Sequence, residues 1–262
     1  LFVAGVVVVA ILLGKNPMTL FAGLGATSAV LMLVFKDTIT GLAAGVRLTS
    51  NDMLHKGDWI TVKSVDANGI VEDMSLTTVK VRNFDNTIVT ISPITLVNGS
   101  FQNWIGMQKS GGRRVKRVVY FDFRSVRLVD ETLKRNLLAK HFATEDSFKL
   151  KESLQKAIDK DIQEGKDIED LKNPAALAPT NLQLYRKFME KYLRQRPEVN
   201  TDLTLMVRHM EATQCGLPIE FYFFIKDKVW VNYEHILADI MEHAYALANE
   251  FGLKIYEQYP KQ

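Results

Sequence analysis

Residues 1 to 35 carry a single charge, Lys15, so 32 of the 33 basic residues and all 30 acidic ones lie beyond Phe35. The overall composition, 47% hydrophobic and 24% charged, is ordinary for a soluble protein and hides this asymmetry. The first run, "LFVAGVVVVAILLG", begins with neither an initiator Met nor a basic leader, so residues 1–16 read as the end of a transmembrane helix that starts upstream. The second run, Met18 to Phe35, is about 18 residues long, enough to cross roughly 30 Å of hydrocarbon. A "KNP" turn joins the two into a helical hairpin. Its loop holds only Lys15, whereas Lys36, Arg47, Lys56 and Lys63 follow Phe35, which puts the C-terminal part in the cytoplasm. A lone Cys215 permits no intrachain disulfide and suits a reducing compartment. The net charge of +3 is too small to name a partner.

The second run has an internal order. Ala22, Gly23, Gly25 and Ala26 crowd its first half, and bulky residues from Leu31 to Phe35 fill its second. Small residues let membrane helices approach closely. If several copies pack around an axis, these four make the seams, while Ala29 and Leu33, four apart with Val30 beside them, face the centre as a narrow apolar gate. Such a constriction stops ions by dewetting. A plain lipid-facing anchor helix is the competing reading of the same pattern. "GLGATS", Gly23 to Ser28, mimics a dinucleotide-binding loop, but the acid expected about 20 residues on is missing.

At Lys36-Asp37 the apolar pattern stops, then resumes as "TITGLAAGVRL" with Ile39, Leu42, Ala43 and Val46 on one face. That suits a segment lying at the membrane interface. Residues 17–49 are therefore expected to be a pore-lining helix with a kinked interfacial second half, the kink drawing on Lys36, Asp37, Gly41 and Gly45.

Residues 50–106 change to short β-branched runs, "DWITVKSV", "GIVEDMS", "LTTVKVRN" and "NTIVTIS", with turn signals at "DANG" and "NFDN". Four or five strands in so short a span predict a small all-β domain of Sm-like or OB-like type. Over 107–262 the expected order is strand (Arg117–Phe123), helix (Asp130–His141), a charged insertion at about 143–180, and helix (Asn181–Gln195). Strands Asp202–Met210 and Ile219–Ile225, helix Tyr233–Phe251 and a last strand Leu253–Glu257 follow. Without the insertion this is a cytoplasmic α+β, ferredoxin-like layer. Within the insertion, Leu150, Leu154, Ile158 and Ile162 recur at helical spacing among charges, as in a solvated arm.

No catalytic or metal constellation emerges. His55, His141 and His209 stand alone, His235 and His243 are eight apart on one helix, and Cys215 lies in a turn without a sequence-placed base. The chain reads as a non-enzyme without metal or cofactor. An alternative takes the β-domain with Lys109, Arg113, Arg114, Lys116, Arg117 and Arg124, plus Phe101 and Trp104, as a membrane-tethered nucleic-acid binder.

Taken in order, the small-residue helix, "LAAGV" at Leu42–Val46, "KGDWITV" at Lys56–Val62, "GIVEDMSLTTVKVRNFDNTIVTISP" at Gly69–Pro93 and "NW" at Asn103-Trp104 resemble the MscS-type mechanosensitive channels. The likeness covers residues 1 to about 125 well and the remainder more loosely, and it looks closest to the miniconductance, YbdG-like branch. It implies a homo-heptamer, multi-pass in a bacterial inner membrane. Central pore helices and a β-domain collar would sit above a cytoplasmic vestibule. It further implies opening under tension and release of ions and small solutes on hypoosmotic shock, with membrane lipids as partners and no nucleic acid. Aligned through "LAAGV", Ala29 and Leu33 match the family's gate rings, and the usual glycine hinge falls on Asp37. The family's "PN" reads Pro93-Ile94 here.

Overall fold

The computed structural model describes residues 2–14, 16–149 and 178–257, together with 156, 159, 160 and 163. Lys15 and the helical spacing of Leu150, Leu154, Ile158 and Ile162 lie outside the described residues. The chain divides into two compact units, Leu1–Gly106 and Met107–Gln262.

The first unit opens with α1 (Phe2–Leu12), which lies against α2 (Pro17–Ser50). Asn16 caps α2 by accepting the Met18 N–H on Oδ1 at 2.9 Å, and Pro17 sits in the first turn, where a missing N–H costs nothing. The helix then runs for 34 residues. Lys36-Asp37 and Gly41 stand inside it, because a change in polarity removes no backbone donor. Thr27, Thr40 and Thr49 donate their hydroxyls back to the carbonyls of Gly23, Lys36 and Gly45 at 2.8, 2.7 and 3.1 Å, so none leaves an unmet donor on an apolar surface. The helix closes with the Met53 N–H on Leu48 O, the chain turning through Asp52 at a left-handed φ of 57°.

Five strands follow: β1 (Trp59–Val62), β2 (Ala67–Met74), β3 (Val79–Asn83), β4 (Ile88–Ile91) and β5 (Gln102–Asn103). All pair antiparallel in the order β4-β3-β2-β1-β5, with a register shift between Val71 and Asp73. The "DANG" signal is displaced. The turn is the 3-10 segment Lys63–Val65, closed by Asp66 at φ 51°, and Ala67 to Gly69 already belong to β2. Gly69 is needed there, since a Cβ would lie 1.9 Å from the Arg82 carbonyl oxygen on β3. Alternate strand residues Ile60, Val62, Val71, Val79, Val81 and Ile91 form the core, joined by Leu48 from α2 and Leu96 from α3 (Pro93–Asn98). Pro93, at the start of α3, again uses the position where proline is tolerated. A short helix α4 (Ile105–Lys109) spans the division between the units.

The second unit is a three-stranded antiparallel sheet, order β6-β8-β7, with β6 (Arg113–Phe121), β7 (Met206–His209) and β8 (Leu217–Ile225). Helices α5 (Glu131–Ala139), α6 (Asn181–Gln195) and α7 (Trp230–Glu250) pack their apolar stripes on one face. Tyr185, Met189 and Leu193 of α6 meet Val119, Phe121, Phe221 and Phe223 of the sheet. The three largest departures from the sequence expectation are in the strands, the helix ends and β8 shifting by no more than three residues. β6 starts at Arg113, four residues early, because it pairs with β8 from Arg113↔Ile225 to Phe121↔Leu217 and so takes up most of the basic segment. β7 starts at Met206, because Asp202 is held in a turn by its N–H on Asn200 Oδ1 at 3.0 Å. The last strand shrinks to a bridge, Phe121↔Ile255, flanked by Asp122 N–H to Lys254 O and Tyr256 N–H to Tyr120 O.

Candidate pore-lining helix and its seat

The two ends of α2 live in different surroundings. In its last turns Ala44, Gly45 and Leu48 are buried, and Leu48 is wholly inside the β-domain core. Gly45 lies against the backbone of Leu76, in the turn between β2 and β3. A Cβ on Gly45 would fall 2.2 Å from Leu76 O, 2.8 Å from its C and 2.9 Å from its Cα. Among the four residues read as a kink, Gly45 thus occupies a close approach of helix to turn, whereas a Cβ on Gly41 would meet nothing within 4 Å. Sequence reasoning missed this contact because it joins positions 31 apart through a backbone carbonyl, which no side-chain pattern encodes.

Residues 22–40 of α2 are all exposed within the chain. Leu33 is 73% exposed and Val34 67%, so this long helix buries none of its apolar middle against the described residues of its own chain. At about 100° per residue, Ala22, Ala26, Ala29 and Leu33 share one stripe within about 60°. Val30 lies about 80° from the Ala29–Leu33 centre, and Gly23 and Gly25 lie about 100° and 60° to its two sides. Positions 23 and 25 have open space where a Cβ would be. The stripe therefore has close-approach surfaces on both flanks, as helices packed around an axis require.

Below α2 a polar knot ties the helix exit to β1 and β5. Asp58, 7% exposed, accepts the His55 N–H at 3.0 Å and the Asn103 amide at 2.8 Å, while Asn103 Oδ1 accepts from the Ile105 N–H at 2.9 Å. The Asn103 amide also reaches Met53 O at 3.3 Å. Trp104 stacks on Trp59 with centroids 4.7 Å apart and donates to Thr61 Oγ1, and Trp59 donates to Asn68 Oδ1. The motif tryptophans and Asn103 thus fasten the start of the β-domain to its end. Phe101 packs against the same core.

The basic segment is largely engaged at home. The Arg113 guanidinium lies 4.3 Å from the Tyr233 ring centroid, Lys116 reaches Glu220 at 3.6 Å, and Arg124 pairs with Asp122, holding that carboxyl below its usual range. Glu220 is fully buried and accepts from Arg208, a charge pair that sequence alone did not single out. Asn181, also fully buried, accepts from the Arg127 N–H at 3.0 Å and donates to Ser125 O and Phe251 O at 2.8 and 3.1 Å, joining the start of α6 to the end of α7. Tyr185 donates to Ala244 O at 2.6 Å, and burial pushes its phenol well above the ordinary value. Among the described residues no cluster of His, Cys, Asp or Glu is placed to hold a metal, and Cys215 is exposed.

Residues 37–106 match the family described as mechanosensitive ion channel, β-domain. The chain is 33% identical over 90 residues to the small-conductance mechanosensitive channel MscMJ of Methanocaldococcus jannaschii, covering 34% of this chain and 25% of that protein. Its fold is similar to that of Arabidopsis thaliana MSL1, with a TM-score of 0.63 at 11% identity over 98% of this chain and 72% of that one. It is also similar to MscS of Helicobacter pylori, with a TM-score of 0.58 at 14% identity over 95% and 74% of the two chains. The chain spans about a quarter of the length of the archaeal relative. The matched β-domain and the candidate span that leads into it make this chain similar to mechanosensitive ion channels.

Proposed function

We propose that the chain assembles as a homo-oligomer, a heptamer in a bacterial inner membrane, whose α2 helices surround a tension-gated pore for ions and small solutes. One observation carries this reading: α2 is anchored in its own β-domain through Gly45 and Leu48, while residues 22–40 stay exposed among the described residues. Leaving so much apolar surface in water is prohibitive, so lipid and neighbouring copies are what this helix is built to meet. The Ala29–Leu33 face, with Val30 beside it, forms the apolar gate; Ala22 and Ala26, read from the sequence as seam residues, share that face, so Gly23 and Gly25 on its flanks form the seams. Stretch favours the state of larger membrane area, and an α2 that tilts about its seat, bending at Lys36-Asp37 or Gly41, supplies that change. The β6-β8-β7 order, with Ile255 bridging to the far edge of β6, supports a ferredoxin-like second unit as a cytoplasmic vestibule wall. The Lys36-Asp37 step supports the miniconductance, YbdG-like branch.

Patch recording from membranes holding the full-length protein tests the proposal. Suction is expected to evoke discrete single-channel currents absent from membranes without the protein. A purified assembly that is monomeric, or that stays silent up to membrane rupture, would refute it.

A further inference from the structure

Lys36 and Asp37 are the only charges between Asn16 and Val46. Both are exposed, and among the described residues neither makes an ion pair within the chain. Adjacent residues on a helix do not face each other, and the positions three and four away, Met32, Leu33, Ile39 and Thr40 for Lys36, and Leu33, Val34, Thr40 and Gly41 for Asp37, carry no charge. Each charge must therefore find its partner outside its own helix. Viewed down α2, Lys36 lies about 40° to one side of the Ala29–Leu33 centre and Asp37 about 60° to the other. Lys36 shares its flank with Gly25, and Asp37 shares its flank with Gly23. In any closed ring of identical subunits, one flank of each helix meets the opposite flank of the next. The two residues differ by only about 1.5 Å in height, so the base of one copy and the acid of its neighbour stand at one level.

From this self-complementary placement, which rests on the oligomeric-pore reading above, we propose that Lys36 of each subunit pairs with Asp37 of the adjacent subunit. The pairs form a belt of ion pairs about one turn below the Leu33 constriction. The belt latches the seams where α2 passes from apolar to polar surroundings. A charge at such a boundary is tolerated when paired, and widening the pore must separate or re-form these pairs.

Two measurements on the full-length protein test this. In a Cys215→Ser background, Lys36→Cys with Asp37→Cys is oxidised in native membranes. A lone cysteine per subunit can bond only once, so single variants should stop at dimers, whereas the double variant should give a ladder of longer covalent oligomers. In patches, Lys36→Asp and Asp37→Lys, each placing like charges across every seam, should each lower the midpoint tension. The exchanged double variant should return it toward that of the unmodified channel. If the unmodified chain is oligomeric and tension-gated, yet the double cysteine variant yields no ladder or the exchange is merely additive, the belt is refuted and the channel reading survives. A monomeric or silent unmodified chain refutes both.

Discussion

Gly45 is where one carbon atom should separate a seated helix from an unseated one. In Gly45→Ala the new Cβ would sit 2.2 Å from the Leu76 carbonyl oxygen, with Leu76 C and Cα also inside 3.0 Å. All three atoms are backbone, so no side-chain rotation relieves the clash. The turn has little freedom to retreat, since Ser75 N–H bonds Thr78 O at 2.8 Å and the Ser75 hydroxyl accepts from the Thr78 N–H at 3.1 Å. Helix or turn must move by about 1 Å, and overpacking of this kind costs roughly 1–3 kcal/mol. Leu48, one turn on, would be levered partly out of the core. At about 2–4 °C per kcal/mol for a chain of this size, thermal unfolding of the detergent-solubilised full-length protein should fall on the order of 5 °C. Gly41→Ala is the control: a Cβ there meets nothing, and alanine in a helix interior gains about 0.5–1 kcal/mol over glycine. Should Gly45→Ala melt with or above the unmodified protein, or Gly41→Ala fall equally, the seat at Leu76 is not what holds α2.

Three further outcomes follow from the second unit. Asn181→Ala strands the Arg127 N–H and the Ser125 and Phe251 carbonyls in the interior, so urea unfolding of this unit should lose on the order of 3 kcal/mol, against under 1 for an exposed Asn control. Arg208→Ala should destabilise more than Glu220→Gln, because it leaves a buried carboxylate with only Lys116 at 3.6 Å, whereas Glu220→Gln leaves half-exposed cations that water can solvate; the reverse order in urea midpoints would contradict this. Burial raises the Tyr185 phenol above its ordinary 10.0, so the unfolded chain ionises first and stability drains away as pH rises past that value. Tyr185→Phe should show a shallower alkaline decline in melting temperature, and an unchanged slope would count against the phenol.

Much of the architecture could be read from residue patterns. The apolar runs and the β-branched alternation encode local periodicity, which sequence displays directly, and so α2, the first four strands and the amphipathic α6 were legible. What escaped depends on distant partners. The seat of Gly45 on Leu76, the Asp58–Asn103 knot and the buried Asn181 all join positions far apart in sequence through single polar or backbone atoms. Boundaries slipped where a local signal and a pairing partner disagreed: "DANG" looks like a turn, yet Ala67 to Gly69 are claimed by β1, and the basic residues before Val118 look solvated, yet β8 pairs them into β6. Lys36-Asp37 breaks the apolar pattern without breaking the helix, because helical hydrogen bonding is indifferent to which exposed side chains it carries.

The sharpest test of an apolar gate on one face of α2 is a pair of serine substitutions compared in the same patch recordings. Leu33 lies within about 20° of the stripe centre and Leu31 about 180° from it. Leu33→Ser should lower the opening tension or leave the channel leaking at rest, while Leu31→Ser should open at the unmodified tension. Equal effects from both faces, or no effect from Leu33→Ser, would contradict the account.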